Sequence, residues 1–193
     1  MRNKYCVAEY MSNVYALLLT KLFFHRARLI RRPFFLRGKK SMVFGQGLTT
    51  GHSCRFDLPG DRNTLYIGEN CHMGDNVHIV AYNKVEIGNN VLMASKVFIS
   101  DTNHGIYYGD EQSDPLIPPS DRKLETSPVS IGNNVWIGEN AVILAGSIIG
   151  NGCIIGANSV VKSRYDSNSI IVGAPANAIK KWNTVSSKWE RCK

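Results

Sequence analysis

Long apolar runs are missing from this 193-residue chain. Its most apolar stretch, Val14 to Phe24, is broken by Lys21 and followed at once by His25, Arg26 and Arg28. A membrane-spanning helix needs about 20 apolar residues, so no span is expected there. No small-residue cleavage site follows, which argues against a secretory signal peptide. Paired cysteines are missing too. The five cysteines, Cys6, Cys54, Cys71, Cys153 and Cys192, are odd in number, and no two stand at C-x-x-C spacing. A disulfide framework or zinc ribbon is therefore not expected, and the chain reads as cytosolic. G-x-S-x-G is absent, and with it the strained nucleophile turn of one large class of acyl-enzyme chemistry. Acids are scarce in one region only. Residues 1–40 hold ten Lys and Arg against Glu9 alone, while the other 153 hold thirteen against fourteen acids. The overall charge of +8 thus belongs to the N-terminal segment.

What the chain does have is a period of six. Ile131, Ile137, Ile143, Ile149, Ile155 and Val161 stand six apart; an earlier run, Ile67, Met73 and Ile79, shifts by two residues to Ile87, Met93 and Ile99. Four residues after each lead comes a mostly small or β-branched residue: Cys71, Val77, Val91, Val97, Val135, Ala141, Ser147, Cys153, Ser159. An amphipathic helix needs apolar spacings of three and four, a half-buried strand a spacing of two. A sustained six is the mark of a hexapeptide parallel β-helix. Each hexad supplies one short strand and one corner, three hexads make a coil, and each coil buries its leads against its neighbours. Cys71 and Cys153 fall on inward positions, where a thiol acts as a small hydrophobe.

Three regions follow. Residues 1–41 form a basic, helical segment, with helix expected over 1–32 and ended by Pro33. Residues 42–176 form the β-helix, opening with irregular coils that contain strands at Met42–Phe44 and Leu65–Ile67. Residues 177–193 are expected to be a C-terminal helix, with Trp182 and Trp189 packed on the barrel beside Lys180, Lys181 and Lys188. Between Ile99 and Ile131 the period fails. The segment 105–127 is expected to be a loop thrown out of the coil, and a long loop in a compact repeat array is usually functional. The N-terminal segment has two coexisting readings. It is a helix that caps the prism or packs on an oligomer partner, and a basic amphipathic helix lying on a membrane surface.

The candidate chemistry sits where coil gives way to loop, at Ser100-Asp101-Thr102-Asn103-His104-Gly105. A histidine held by rigid coil and covered by loop suits a general base, with Asp101 or Asp75 of the neighbouring coil holding its second nitrogen. A turn histidine bonding its own backbone fits the spacing equally. His72 and His78 lie on the coils and read as surface or cleft residues rather than ligands.

The hexads, the Asp-Thr-Asn-His-Gly element, Asn134-Val-Trp-Ile-Gly138 and Val172-Gly-Ala-Pro-Ala176 together resemble the hexapeptide-repeat acyltransferases, in the branch of galactoside and maltose acetyltransferases. Ser95 to Asp101 and Pro128 to Gly132 resemble the lipopolysaccharide O-antigen O-acetyltransferases most. The resemblance implies a left-handed β-helix, acetyl-CoA as co-substrate without a metal, and a homotrimer with sites between subunits. It makes His104 the catalytic base; beside it, Asp75, Asp101 and Asn103 are the candidates for orienting the ring or contacting substrate. It places Trp136 and Glu139 at the reacting end of the pantetheine arm, though Trp136 serves equally as packing at a subunit contact. Ala145, Gly146 and Ala157 lie along the arm, and Lys162, Ser163 and Lys180 near the adenosine and 3′-phosphate. Asn177 stands where relatives carry a basic residue, shifting phosphate recognition toward Lys180 and Lys181. Direct transfer needs an oxyanion donor, for which a backbone N–H near Glu139 is the candidate. The expected acceptor is a saccharide of a surface polysaccharide or its lipid-linked precursor, met by a cytoplasmic enzyme that touches the inner membrane face through residues 1–40, with no nucleic-acid partner. N-acetylation of an amino sugar, a γ-carbonic-anhydrase-like metal enzyme and a non-catalytic scaffold are the alternatives. The carbonic anhydrases pair two histidines five apart, and Gly109 stands five after His104.

Overall fold

The computed structural model describes residues 5–192; residues 1–4 of the basic segment and Lys193 of the tail lie outside it. Three parallel sheets wind around one apolar core. The first face stacks Leu29–Ile30, Thr49–Thr50, His72–Met73, Leu92–Met93, Trp136–Ile137, Ile154–Ile155 and Ser169–Gly173. The second stacks Phe34–Arg37, Cys54–Asp57, His78–Val80, Phe98–Ser100, Val142–Ile143 and Val160–Val161. The third stacks Met42–Phe44, Leu65–Ile67, Val85–Ile87, Val129–Ile131, Ile148–Ile149 and Arg164–Tyr165.

The hexad leads make the core. Ile79, Ile99, Ile143 and Val161 are in register on the second face, and none is exposed. Each such side chain stabilises the stack by roughly 1.5–3 kcal/mol. The corners are polar ladders. The Glu69 N–H donates to Asn89 Oδ1, the Asn89 N–H to Asn133 Oδ1 and the Asn133 N–H to Asn151 Oδ1, each at 2.7 Å. Glycine precedes these residues because coils meet closely there: a Cβ on Gly88 would lie 2.7 Å from the Gly132 carbonyl.

Both ends depart from the sequence expectation. The helix runs only from Val7 to Phe23, opened by a capping box between Cys6 and Glu9. It stops well before Pro33 because Phe24, Ala27 and Ile30 are buried in the first coil, while Leu29–Ile30 pair with Thr49–Thr50. Tertiary burial outweighs helix propensity there, and the coils begin ahead of residue 42. At the other end the expected C-terminal helix is a β-hairpin. Ala176–Asn183 pairs antiparallel with Ser169–Gly173 and then with Lys188–Arg191. Trp182 and Trp189 face each other across it, ring centroids 5.5 Å apart. The last coil leaves an open strand edge, and a hairpin satisfies that edge where a helix cannot.

The excursion replaces the corner between second and third faces after Ser100. Thr102–His104 pairs antiparallel with Leu124–Thr126, forming a stem beneath the loop. The chain then rejoins the coil at Val129.

Candidate active site

The stem is rooted in Asp101, which is completely buried. Its Oδ1 accepts the Tyr82 N–H at 3.0 Å and the Thr102 hydroxyl at 2.6 Å, while Oδ2 accepts the N–H groups of Asn83 and Lys84 at 2.7 and 2.8 Å. The Ser127 N–H closes the neck on the Asp101 carbonyl at 2.9 Å. Both carboxylate oxygens are therefore spent on the neck, and Asp101 does not hold the imidazole as the sequence suggested. A buried carboxylate goes to the unpaired N–H groups nearest it. Asp75 is also committed elsewhere within the chain. Its Oδ1 accepts the His52 N–H at 2.6 Å and its own N–H donates to Ser95 Oγ at 3.1 Å, making it a rung of the ladder between first and second faces.

His104 ends the outgoing stem strand, exposed, with Asn103 exposed beside it. Its imidazole has no hydrogen-bond partner among the described residues; its carbonyl accepts the Tyr107 hydroxyl at 2.5 Å. The turn-histidine alternative, with the ring bonded to its own backbone, is not what the structure holds. Gly105 turns the chain at once, with φ +114°, and a Cβ there would lie 2.9 Å from the Tyr107 hydroxyl. Arg122, which sequence reasoning passed over, ties the loop together. Its guanidinium donates to the Tyr107 hydroxyl at 2.9 Å and to the carbonyls of Ile117 and Pro115 at 2.8 and 3.1 Å. A loop arginine surrounded by prolines carries no signal of that role.

Trp136 projects from the first face, 51% exposed. It stands in register with Leu92 on one side and with Ile154 on the other, the row continuing to Ile170 and Lys180. Glu139 follows at the adjoining corner, where the ladder breaks. Ala157 takes the place above it, with no side-chain acceptor to offer. The Glu139 N–H consequently has no acceptor among the described residues, while the Glu139 carbonyl accepts the Asn158 N–H at 2.9 Å. Lys181 is occupied by Asp166 at 3.0 Å.

The expected cofactor residues fall into two groups. Trp136, Glu139, Ala157 and Lys180 lie on the first face and its corner with the second. Ala145, Gly146, Lys162 and Ser163 lie at the corner between second and third faces, beside the neck, where the Gly146 N–H donates to the Ser127 carbonyl at 3.1 Å. A single chain does not bring the two groups together. Among the described residues no group of three or more His, Cys, Asp or Glu side chains is placed to hold a metal ion.

On the second face a cluster went unnoticed in the sequence. Asp57 Oδ2 accepts Arg55 Nε at 2.7 Å and lies 3.0 Å from His78 Nε2, while Arg37 Nη1 lies 3.2 Å from Oδ1. Burial pushes the Asp57 carboxyl up, but the His78 and Arg55 hydrogen bonds and the charges of Arg55 and Arg37 outweigh it. The group is held below the ordinary aspartate range. His72, on the first face, is pushed down by burial and by Arg28.

Residues 128–163 match the family described as bacterial transferase hexapeptide (six repeats). A protein of Escherichia coli K12, provisionally named as the lipopolysaccharide biosynthesis O-acetyl transferase WbbJ, is 42% identical over 99% of this chain and 97% of its own length. Galactoside O-acetyltransferase of the same organism is 34% identical over 78% of this chain and 72% of its own. Among solved structures, AntD, an N-acyltransferase from Bacillus cereus in complex with dTDP and 3-hydroxybutyryl-CoA, superposes with a TM-score of 0.69 at 22% identity. That likeness covers 94% of this chain and 90% of AntD and is one of fold.

Proposed function

The chain belongs to the hexapeptide-repeat acyltransferases, and from that premise we propose that it moves an acetyl group from acetyl-CoA to a sugar hydroxyl of a surface polysaccharide or its lipid-linked precursor. The observation that carries this reading is His104: an exposed imidazole with no hydrogen-bond partner among the described residues, on a stem rooted in a buried carboxylate. A sugar hydroxyl is a weak nucleophile at neutral pH. His104 takes its proton as the oxygen attacks the thioester carbonyl. The oxyanion then meets a donor placed in advance, for which the unpartnered Glu139 N–H is suited, and such a donor is worth on the order of 3 kcal/mol. Collapse expels the CoA thiolate, which takes the proton from the imidazolium, leaving ester, free thiol and neutral histidine.

The separation of Glu139 and Trp136 from His104 on different sides of one prism supports a site shared between copies, in a homotrimer. Trp136, Ala157 and Lys180 of one copy would line the acetyl-CoA arm, with Ala145, Gly146, Lys162 and Ser163 of the copy that presents His104 on its other side.

No helix among the described residues is long and apolar enough to cross a membrane. The helix Val7–Phe23 nevertheless turns its small and polar side inward, burying Ala16 and Thr20, while Tyr10, Met11, Val14, Leu18 and Leu22 face out. That arc, with Lys21, His25, Arg26 and Arg28 at its end, fits a peripheral contact with an anionic membrane at its cytoplasmic face.

Mass spectrometry of the surface polysaccharide with and without the gene tests the function. An alkali-labile acetyl ester present only with the gene supports O-transfer, and an alkali-stable amide would establish N-acylation instead. His104→Ala is expected to lower turnover about 100-fold or more with acetyl-CoA affinity unchanged. Unchanged turnover in the folded variant removes His104 from the mechanism.

A further inference from the structure

We propose that Arg37, Arg55 and His78, arrayed around Asp57, bind a phosphate group carried by the acceptor, so that the sugar is acetylated while still linked to phosphate. This rests on the acetyl-transfer reading above and adds the class of acceptor.

The cluster is built, not incidental. Arg55 and His78 are directly paired on neighbouring strands of the second face, and the His78 ring rests on Phe98 with centroids 5.2 Å apart. All three basic groups converge on one carboxylate that is only 9% exposed. A structural ion pair needs one partner, and here two guanidiniums and an imidazole share one. The Arg37 and Arg55 side chains stay 71% and 44% exposed. Asp57 thus holds the Arg55 guanidinium by a hydrogen bond and draws that of Arg37 by charge alone, and both keep N–H groups toward solvent, the arrangement in which arginine forks recognise phosphate.

The chemistry selects an anion over neutral hydroxyls. Apart from Asp57, which lies beneath, and the outer ring nitrogen of His78, whose role depends on the tautomer, the cluster presents guanidinium donors, and two arginines against one carboxylate leave one uncompensated positive charge. Its place is also suitable. Asp57, Val80 and Ser100 are in register, so Asp57 lies two strand spacings, about 10 Å, from the residue where the His104 stem departs. A phosphate there leaves room for a sugar between itself and the imidazole. The cluster spans the first three coils, at the end of the prism where the Val7–Phe23 helix packs on Leu29–Ile30. Both a nucleotide-linked sugar and a lipid-linked diphosphate sugar carry the required group.

The test uses inorganic pyrophosphate as a probe and two acceptor series. Calorimetry on the full-length protein should show pyrophosphate binding that weakens about tenfold for each lost arginine contact in Arg55→Ala and Arg37→Ala. This measurement needs no turnover, so it stands or falls separately from the acetyl-transfer reading. Arg55→Lys, which keeps the charge beside Asp57 and loses the fork, guards against misfolding. It should melt like wild type and still bind several-fold more weakly. In kinetics, the alanine variants should raise KM for the phosphorylated acceptor about tenfold or more, with kcat and the acetyl-CoA KM within about twofold. Comparing a soluble sugar nucleotide with a vesicle-borne lipid diphosphate sugar shows which source is used. Pyrophosphate binding that ignores both arginines overturns the proposal. So does an unphosphorylated sugar accepted with an equal KM.

Discussion

Asp101→Asn exchanges one oxygen of a fully buried carboxylate for an amide nitrogen, and the surroundings dictate the cost. The amide keeps most bonds by turning its oxygen toward the Asn83 and Lys84 N–H groups, now at 2.7 and 2.8 Å. Its NH2 then faces the Thr102 hydroxyl, which can rotate to accept, and the Tyr82 N–H, which cannot. One donor loses its acceptor, at about 1–3 kcal/mol. Asp101→Ala strands three backbone donors and should cost roughly 3–9 kcal/mol, a large share of the 5–15 kcal/mol typical of a whole domain. Equilibrium urea unfolding at fixed protein concentration measures both, as shifts of the midpoint at constant slope. If Asp101 braces the neck, Asn is mildly destabilised and keeps most of its turnover below its melting range, while Ala loses far more stability. If Asp101 instead orients the His104 imidazole, Asn would unfold at the wild-type midpoint and lose turnover by orders of magnitude. That second pattern would refute the bracing argument.

Burial pushes the Cys54 thiol up to about 11 and raises Cys71 and Cys153 as well, while Cys6 and Cys192 are exposed. A thiol reagent at mildly alkaline pH should therefore label two cysteines in the native protein and all five in denaturant; fast labelling of Cys54 would show that its coil opens. Leu18→Asp with Leu22→Asp should abolish flotation with anionic vesicles and leave activity on a soluble acceptor intact, and loss of both together would make the helix a structural element of the assembly. The folded Asp57 carboxyl lies below its ordinary value of 3.8, so its contribution to stability is complete above that value and is lost as pH falls through and below it. Asp57→Asn should flatten the acid limb of the stability profile relative to wild type, and an unchanged limb would mean the cluster does not hold the carboxylate ionised.

The β-helix was legible in the sequence because its information is local. A coil meets only the coils beside it, so a six-residue period in Ile, Met and Val specifies strand, corner and core at once, and the break after Ile99 marks where the chain must leave the prism. The placing of His104 at the exposed end of the stem was legible for the same reason, since it stands at that break. What needed the tertiary structure are the contacts made between coils and at the ends. The helix stops at Phe23 because Phe24, Ala27 and Ile30 have a core to enter, and the tail forms a hairpin because the last strand edge needs a partner. Neither need is written in the segment that answers it. The role of Asp101 depends on Tyr82, Asn83 and Lys84 one coil away, and Arg37, Arg55 and His78 meet at Asp57 only through the strand register. Loops of unequal length, such as Pro59 to Asn63, shift that register. Periodicity determines that coils stack, and only packing decides which polar side chains stand over one another.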